Sequence, residues 1–188
     1  MNAHFIASSS NLEELRDCYE EIIRVMEEKE VEVKTVYNPL TVTQKMILDR
    51  NGQAFEEFYL KWEELIKDCD IAVAEASFPS SINVGLSIAT LVERGKPVVT
   101  IYREDRDPVI LNGLYSSKLI RVTYKDKDDI KNVLPWAIDE ATRWLNRRFT
   151  MNISNNIDMY LEEISKTRGV SRSDYIRGLI EKDMENES

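Results

Sequence analysis

The sequence predicts an α/β chain, a parallel sheet with helices on both faces, followed by a small C-terminal strand–helix–helix module. Three observations predict it. Strand-like runs alternate with helical stripes from residue 3 to residue 145. Runs such as Ile71-Ala-Val-Ala74 and Val98-Val-Thr-Ile101 are continuously apolar, as strands covered on both faces must be. From Arg147 the pattern switches to strict alternation and then to two short helical stripes.

Taken in order, residues 3–8 (Ala-His-Phe-Ile-Ala-Ser) read as a buried strand ending in the loop Ser8-Ser9-Ser10-Asn11, with Asn11 placed to cap a helix. That helix carries Leu12, Leu15, Ile22, Ile23 and Met26 at helical spacing. Residues 31–36 alternate and read as a half-buried strand, broken by Asn38-Pro39. A helical stretch at 42–49 and an Asn51-Gly52 break precede a helix at 54–67, with Phe55, Phe58, Leu65 and Ile66 apolar. Residues 70–75 form a strand ending in the carboxylate of Glu75, and 84–93 a helix closed by Gly95 and Pro97. Strands at 98–102 and 119–124 and a helix at 130–145, with Pro135 in its first turns, complete the domain, 1–145. In such sheets ligands sit beyond the carboxyl ends of the strands, which places residues 8–11, 75–85 and 102–106 around one crevice.

With 188 residues, 43% of them hydrophobic, the chain can bury a core without staples. Cys18 and Cys69, the two cysteines, have no zinc-type spacing and read as buried free thiols. No metal or cofactor is expected. The sequence opens without a secretory pattern, and no apolar run approaches bilayer length, so the expectation is a cytoplasmic protein away from membranes. The net charge of −9 argues against nucleic acid on average. Between Arg143 and Lys182, however, eight Lys/Arg stand against five Asp/Glu, a local +3 that leaves nucleic-acid binding open.

Phe5-Ile-Ala-Ser8, Asp70-Ile-Ala-Val-Ala-Glu75, Phe78-Pro-Ser-Ser-Ile-Asn-Val-Gly85 and Gly95-Lys-Pro-Val-Val-Thr-Ile-Tyr-Arg103 together resemble the nucleoside 2-deoxyribosyltransferase family. The likeness is strongest to its 2′-deoxynucleoside 5′-phosphate N-hydrolase branch and spans roughly residues 3–142. It implies a flavodoxin-like fold, dimers, and chemistry at the bond between base and deoxyribose. That chemistry needs a carboxylate nucleophile and an acid for the departing base. Counted along the family's pattern, the nucleophile's position holds Ser87, after a loop one residue longer, and the second acid's position holds Trp62. The basic residue of the family's first loop is also missing from residues 8–11.

A serine without a base cannot replace an ionised carboxylate, and such a loss removes several kcal/mol of transition-state stabilisation. The first domain is therefore expected to hold a nucleotide-like, phosphorylated ligand without cleaving it. Candidate contacts are Ser8, Ser9, Glu75, Ser80, Ser81, Asn83, Gly85, Ser87 and Ser117. Ser80 and Ser81 open a helix whose free N–H groups favour an anion. Ser117, with Ser116, matches roughly where the hydrolase branch offers a hydroxyl across its dimer. Glu75 could serve as a substitute acid or simply bind a hydroxyl. The bland alternative is a scaffold in which these serines are turn residues.

In residues 147–154, Phe149, Met151 and Ile153 share one face and Arg148, Thr150 and Asn152 the other. Helical stripes follow at 155–168 (Ile157, Leu161, Ile164) and after Ser171, which reads as a cap, with Tyr175, Ile176, Leu179 and Ile180 inward. Gly169 suits a left-handed helix end. A strand and two short helices cannot bury their apolar face alone and need a second copy. This order resembles the ribbon-helix-helix repressors over 147–184, with 185–188 as an acidic tail. The resemblance implies a major-groove ribbon reading double-stranded DNA through Arg148, Thr150 and Asn152, and phosphate held near Ser171, Arg172 and Ser173. The alternative is a dimerisation clasp.

The combined expectation is a homodimeric or tetrameric DNA-binding regulator whose α/β domain senses a nucleotide-like ligand and is not an enzyme. Two others stay open. One is a deoxyribosyltransferase or deoxynucleotide N-glycosidase clamped by its C-terminal module. The other is a nonenzymatic scaffold or toxin-neutralising partner.

Overall fold

Five apolar segments pair, all parallel, in the order β2-β1-β3-β4-β5. They are β1 (Asn2–Ile6), β2 (Glu32–Lys34), β3 (Ile71–Glu75), β4 (Val98–Arg103) and β5 (Leu119–Tyr124). The computed structural model describes residues 1–36, 52–145 and 151–186; the helix expected at 42–49 lies outside them. The chain divides into two compact units, Met1–Asn146 and Arg147–Ser188. No helix among the described residues is long and apolar enough to cross a membrane.

The sheet explains why its strands lack alternation. On β3, Ile71 and Val73 join the core beneath α1 (Arg16–Glu28) and α5 (Lys127–Thr142), where Phe5, Tyr19, Ile22, Leu134 and Ile138 pack. Ala72 and Ala74 point to the opposite face, against Ile66 of α2 (Gly52–Asp68) and Val84, Ile88 and Leu91 of α3 (Ile82–Glu93). Both faces are thus buried, each large side chain contributing about 1.5–3 kcal/mol. β1 alternates likewise: Ala3 and Phe5 enter the first core, Ile6 the second.

Three local expectations change. Asn11 does not cap a helix; it sits in a 3-10 turn (Ser9–Asn11), and α1 begins at Arg16 without a side-chain cap. Its buried amide instead donates to the carbonyls of Ser77 (3.3 Å) and Pro79 (2.8 Å). β2 shrinks to three residues, as suits an edge strand with one neighbour. A one-turn helix, α4 (Val109–Asn112), has no buried residue and so left no stripe in the sequence. α5 starts at Lys127 because the Asp126 carboxylate accepts from the N–H groups of Asp128 and Asp129.

In the second unit, α6 (Asn155–Arg168) and α7 (Arg172–Asn186) flank Gly169, whose φ of 66° is left-handed. Leu161 and Ile164 are buried. Leu179 and Ile180, expected inward, are 51% and 56% exposed, because two helices of this length cover too little of one another. Residues 151–154 carry no regular structure, and 147–150 lie outside the described residues. The strand expected at 147–154 is therefore not seen over its described part, 151–154.

Candidate ligand-binding site

The chain leaves β1 toward β2 on one side and returns to β3 on the other, which makes the β1–β3 border the switch point of the sheet. A cavity of about 350 Å³, within the range of small-ligand pockets, opens over β1 and the end of β2, beside that border. His4 to Ala7 of β1, with Ser9, form one side, and Thr35 and Val36 follow β2. α3 supplies Val84, Leu86 and Ser87, preceded by its N-cap Ser81. α2 supplies Phe55, Phe58, Tyr59 and Trp62, four aromatic rings at helical spacing on one stripe. Tyr59 and Trp62 touch, with ring centroids 5.5 Å apart.

Two positions singled out from opposite stretches of sequence meet on this wall. Trp62 Nε1 donates to Ser87 Oγ at 2.7 Å, and Ser87 Oγ donates in turn to the Asn83 carbonyl at 2.8 Å. The serine hydroxyl therefore both accepts and donates within the protein. Among the described residues lining the cavity there is no Asp or Glu. Aromatic walls with hydroxyl and amide groups can stack a flat ring and hydrogen-bond its edge.

His4, the single histidine of the chain, is buried to 2% exposure. Its Nδ1 lies 3.3 Å from the Lys34 carbonyl, and burial pulls its pKa down to about 4. It is neutral at physiological pH, and the donor role of Nδ1 leaves Nε2 as an acceptor.

The remaining candidates fall into two groups. Ser9, Ser81, Asn83 and Ser87 line the cavity. Ser8 is fully buried behind it, its hydroxyl accepting from Ser10 N–H and its carbonyl accepting from Tyr19. Ser80 and Ser117 are exposed and, with Gly85, are not part of the lining. Glu75 does not reach the cavity either. It is fully buried at the end of β3, where Oε1 accepts from the Ser77 hydroxyl and N–H and from Tyr124 at 3.1 Å. Burial pushes its pKa up to about 7, and its Oε2 has no hydrogen-bond partner among the described residues. This acid ties β3 to β5. The stretch 102–106 also stays off the cavity, Arg103 and Arg106 pairing with Glu14. Sequence reasoning missed His4 and the aromatic stripe as site residues, although both were visible as a lone histidine and as spacing 55-58-59-62.

The comparisons with known proteins concern this unit. "Putative 2′-deoxynucleoside 5′-phosphate N-hydrolase 1" of Thermofilum pendens is 32% identical over 101 residues, half of this chain and 70% of that protein. The chain belongs to the 2′-deoxynucleoside 5′-phosphate N-hydrolase family. No family model matches. The structure of the CMP N-glycosidase BcmB from Clostridium botulinum superposes with a TM-score of 0.54 at 18% identity, covering 71% of this chain and 98% of that one. That likeness shows the fold of this N-hydrolase relative: a parallel α/β sheet of flavodoxin-like type. The sequence relative matches the N-hydrolase reading of the chain better than DNA-binding regulation.

In the second unit the residues expected at DNA are split. Arg148 and Thr150 lie outside the described residues, while Asn152, Ser171, Arg172 and Ser173 are exposed. Arg172 is not a free cation: it pairs with Asp158 at 2.5 Å and with Glu162 at 3.7 Å.

Proposed function

We propose that this member of the N-hydrolase family binds a nucleoside-type ligand, a heteroaromatic base with its sugar, without cleaving the bond between them. One observation carries the reading: Trp62 and Ser87, at the positions that counting assigns to the family's acids, bond to each other in a cavity with an aromatic wall. Cleavage by an oxocarbenium route needs a carboxylate beside the anomeric carbon. Isothermal titration against nucleosides and nucleoside monophosphates, followed by chromatography of the mixtures, tests both halves. Heat with intact ligand supports the reading; no heat from any compound ends it.

The second reading, an active N-glycosidase, draws on the relatives themselves, which are named for N-hydrolase and N-glycosidase activity. Free base accumulating in the same mixtures would establish it.

For residues 147–188 we propose self-association of two copies, with DNA binding by the paired unit. Support comes from the left-handed Gly169 turn between α6 and α7 and from apolar residues left exposed in one chain, Leu179, Ile180 and Met184 among them. Selection from a random DNA pool, repeated with Arg148→Ala, Asn152→Ala, tests it. A two-fold-related site lost by the variant supports DNA reading; salt-sensitive retention of all sequences leaves only electrostatic adhesion.

A further inference from the structure

Resting on the nucleoside-binding reading, we infer that Asn11 is a positioning residue for the ligand. It is not part of the cavity lining; it holds Ser81, at the start of α3, in place relative to Ser9.

The Asn11 side chain is 5% exposed, and its amide nitrogen donates to the Ser77 carbonyl at 3.3 Å and to the Pro79 carbonyl at 2.8 Å. Both partners are acceptors, so both amide hydrogens are used. The Asn11 end of this tie is firm. Ser9 and Asn11 share one 3-10 turn, the Leu15 N–H donates to the Asn11 carbonyl at 2.8 Å, and Tyr19 of α1 donates to the Ser8 carbonyl at 3.1 Å.

The other end depends on the tie. Phe78, Pro79 and Ser80 are exposed, so packing restrains them little. The Phe78 N–H donates to the Arg106 carbonyl at 2.9 Å, and Pro79 has no N–H to donate. Among the described residues, the bond to the Pro79 carbonyl is then the last hold on the chain before Ser81, whose own carbonyl accepts from Val84 in the first turn of α3. Ser81 has the backbone of a helix cap, φ −79° and ψ 153°, yet its hydroxyl makes no bond to its own helix. It lines the cavity, as Ser9 does. Where the backbone is held therefore decides what that hydroxyl can reach, and Asn11 holds it two residues upstream.

The test is calorimetric titration of the full chain with the common deoxynucleosides and their 5′-monophosphates, the tightest binder then serving for every variant. Asn11→Ala should weaken binding at least about fivefold, the scale of one net hydrogen bond. Combined with Ser81→Ala it should weaken binding no further than Ser81→Ala alone, within about twofold, because both changes remove one contact. Combined with Tyr59→Ala, on the aromatic wall that the tie does not reach, the two losses should multiply. A side chain needed only for folding would lower the melting temperature without this pattern. Should Asn11→Ala not fold, Asn11→Ser, which keeps one donor, replaces it. The native chain supplies a measurement that needs no variant: coupling is reciprocal, so bound ligand must slow exchange of the Asn11 side-chain amide protons, read by NMR. A loss smaller than that expected for Asn11→Ala, losses that multiply with Ser81→Ala, or exchange that ligand leaves unchanged overturns the inference and leaves the nucleoside-binding reading standing. Binding of none of the compounds overturns both.

Discussion

Trp62 Nε1 and Ser87 Oγ stand 2.7 Å apart across the α2–α3 wall of the cavity, and the serine hydroxyl in turn donates a hydrogen bond to the Asn83 carbonyl. Trp62→Phe keeps an aromatic side chain but removes the donor and part of the indole's bulk, so it should cost at least about 1 kcal/mol of stability, a typical net hydrogen bond. Ligand affinity should change less than threefold. Urea unfolding and calorimetric titration read the two effects separately, and a large affinity loss with intact stability would mean that the indole N–H touches ligand.

Placing carboxylates at these positions tests the proposal that the cavity binds without cleaving. The pair Trp62→Asp, Ser87→Glu should produce measurable free base from a nucleoside that the native chain leaves intact. Chromatography shows it. A folded variant that binds nucleoside and releases no base would mean that the missing carboxylates are not what separates this cavity from a hydrolase.

The aromatic stripe should separate binding from folding. Phe55 and Tyr59 are 57% and 53% exposed, so little core depends on them. Tyr59→Ala should lower ligand affinity by at least about tenfold, a stacking contact being worth roughly 1–3 kcal/mol, and move the melting temperature little. Leu65→Ala and Ile66→Ala, on the same helix but in the core, should do the reverse, costing about 2–5 kcal/mol of stability.

Burial sets two opposed proton linkages. Glu75, held near 7 against an ordinary 4.5, keeps a proton that the unfolded chain releases, so its contribution to stability falls as pH rises from 4.5 to 7. His4, held near 4 against 6.5, refuses a proton that the unfolded chain accepts, so stability falls as pH drops from 6.5 to 4. Between 4.5 and 6.5 the slopes, each up to about 1.4 kcal/mol per pH unit, oppose one another. Glu75→Gln should leave stability rising with pH across that window. Trp62, Trp136 and Trp144 all lie in the first unit, so tryptophan fluorescence follows it alone. A variant profile parallel to wild type would remove the argument.

Two glycines of the second unit should respond with opposite signs. Gly169→Ala places a Cβ at φ 66° and should destabilise by about 1 kcal/mol. Gly178→Ala, inside α7 with nothing within 4 Å of the added carbon, should stabilise by up to about 1 kcal/mol. Circular-dichroism melts of the two variants make the comparison. Destabilisation by Gly178→Ala would instead place another surface against that spot.

Much of this architecture was legible in the residues, and the failures share a cause. Apolar runs such as residues 71–74 can only be strands covered twice, so the parallel sheet followed. The helix at 54–67 was equally legible, but periodicity reports one apolar stripe whether it faces a core or a cavity. Leu65 and Ile66 do the first, Phe55 to Trp62 the second, and only the fold separates them. Asn11 looked like a helix cap because caps are local, whereas its partners lie 66 and 68 residues away. Glu75, at a strand's end, could be read as a substitute acid or as a partner for a hydroxyl, and nothing local announced that the hydroxyls would be those of Ser77 and Tyr124. α4 buries nothing and therefore left no pattern.

The bridge from Asn11 to the Ser77 and Pro79 carbonyls has a mechanical consequence. It rivets the lip that follows β1 to the lip that follows β3, so those two edges of the mouth travel as one piece. α2, rooted in the core at Leu65 and Ile66 and exposed at Phe55 and Tyr59, takes no part in that bridge, so the two lips are coupled to each other independently of the aromatic wall.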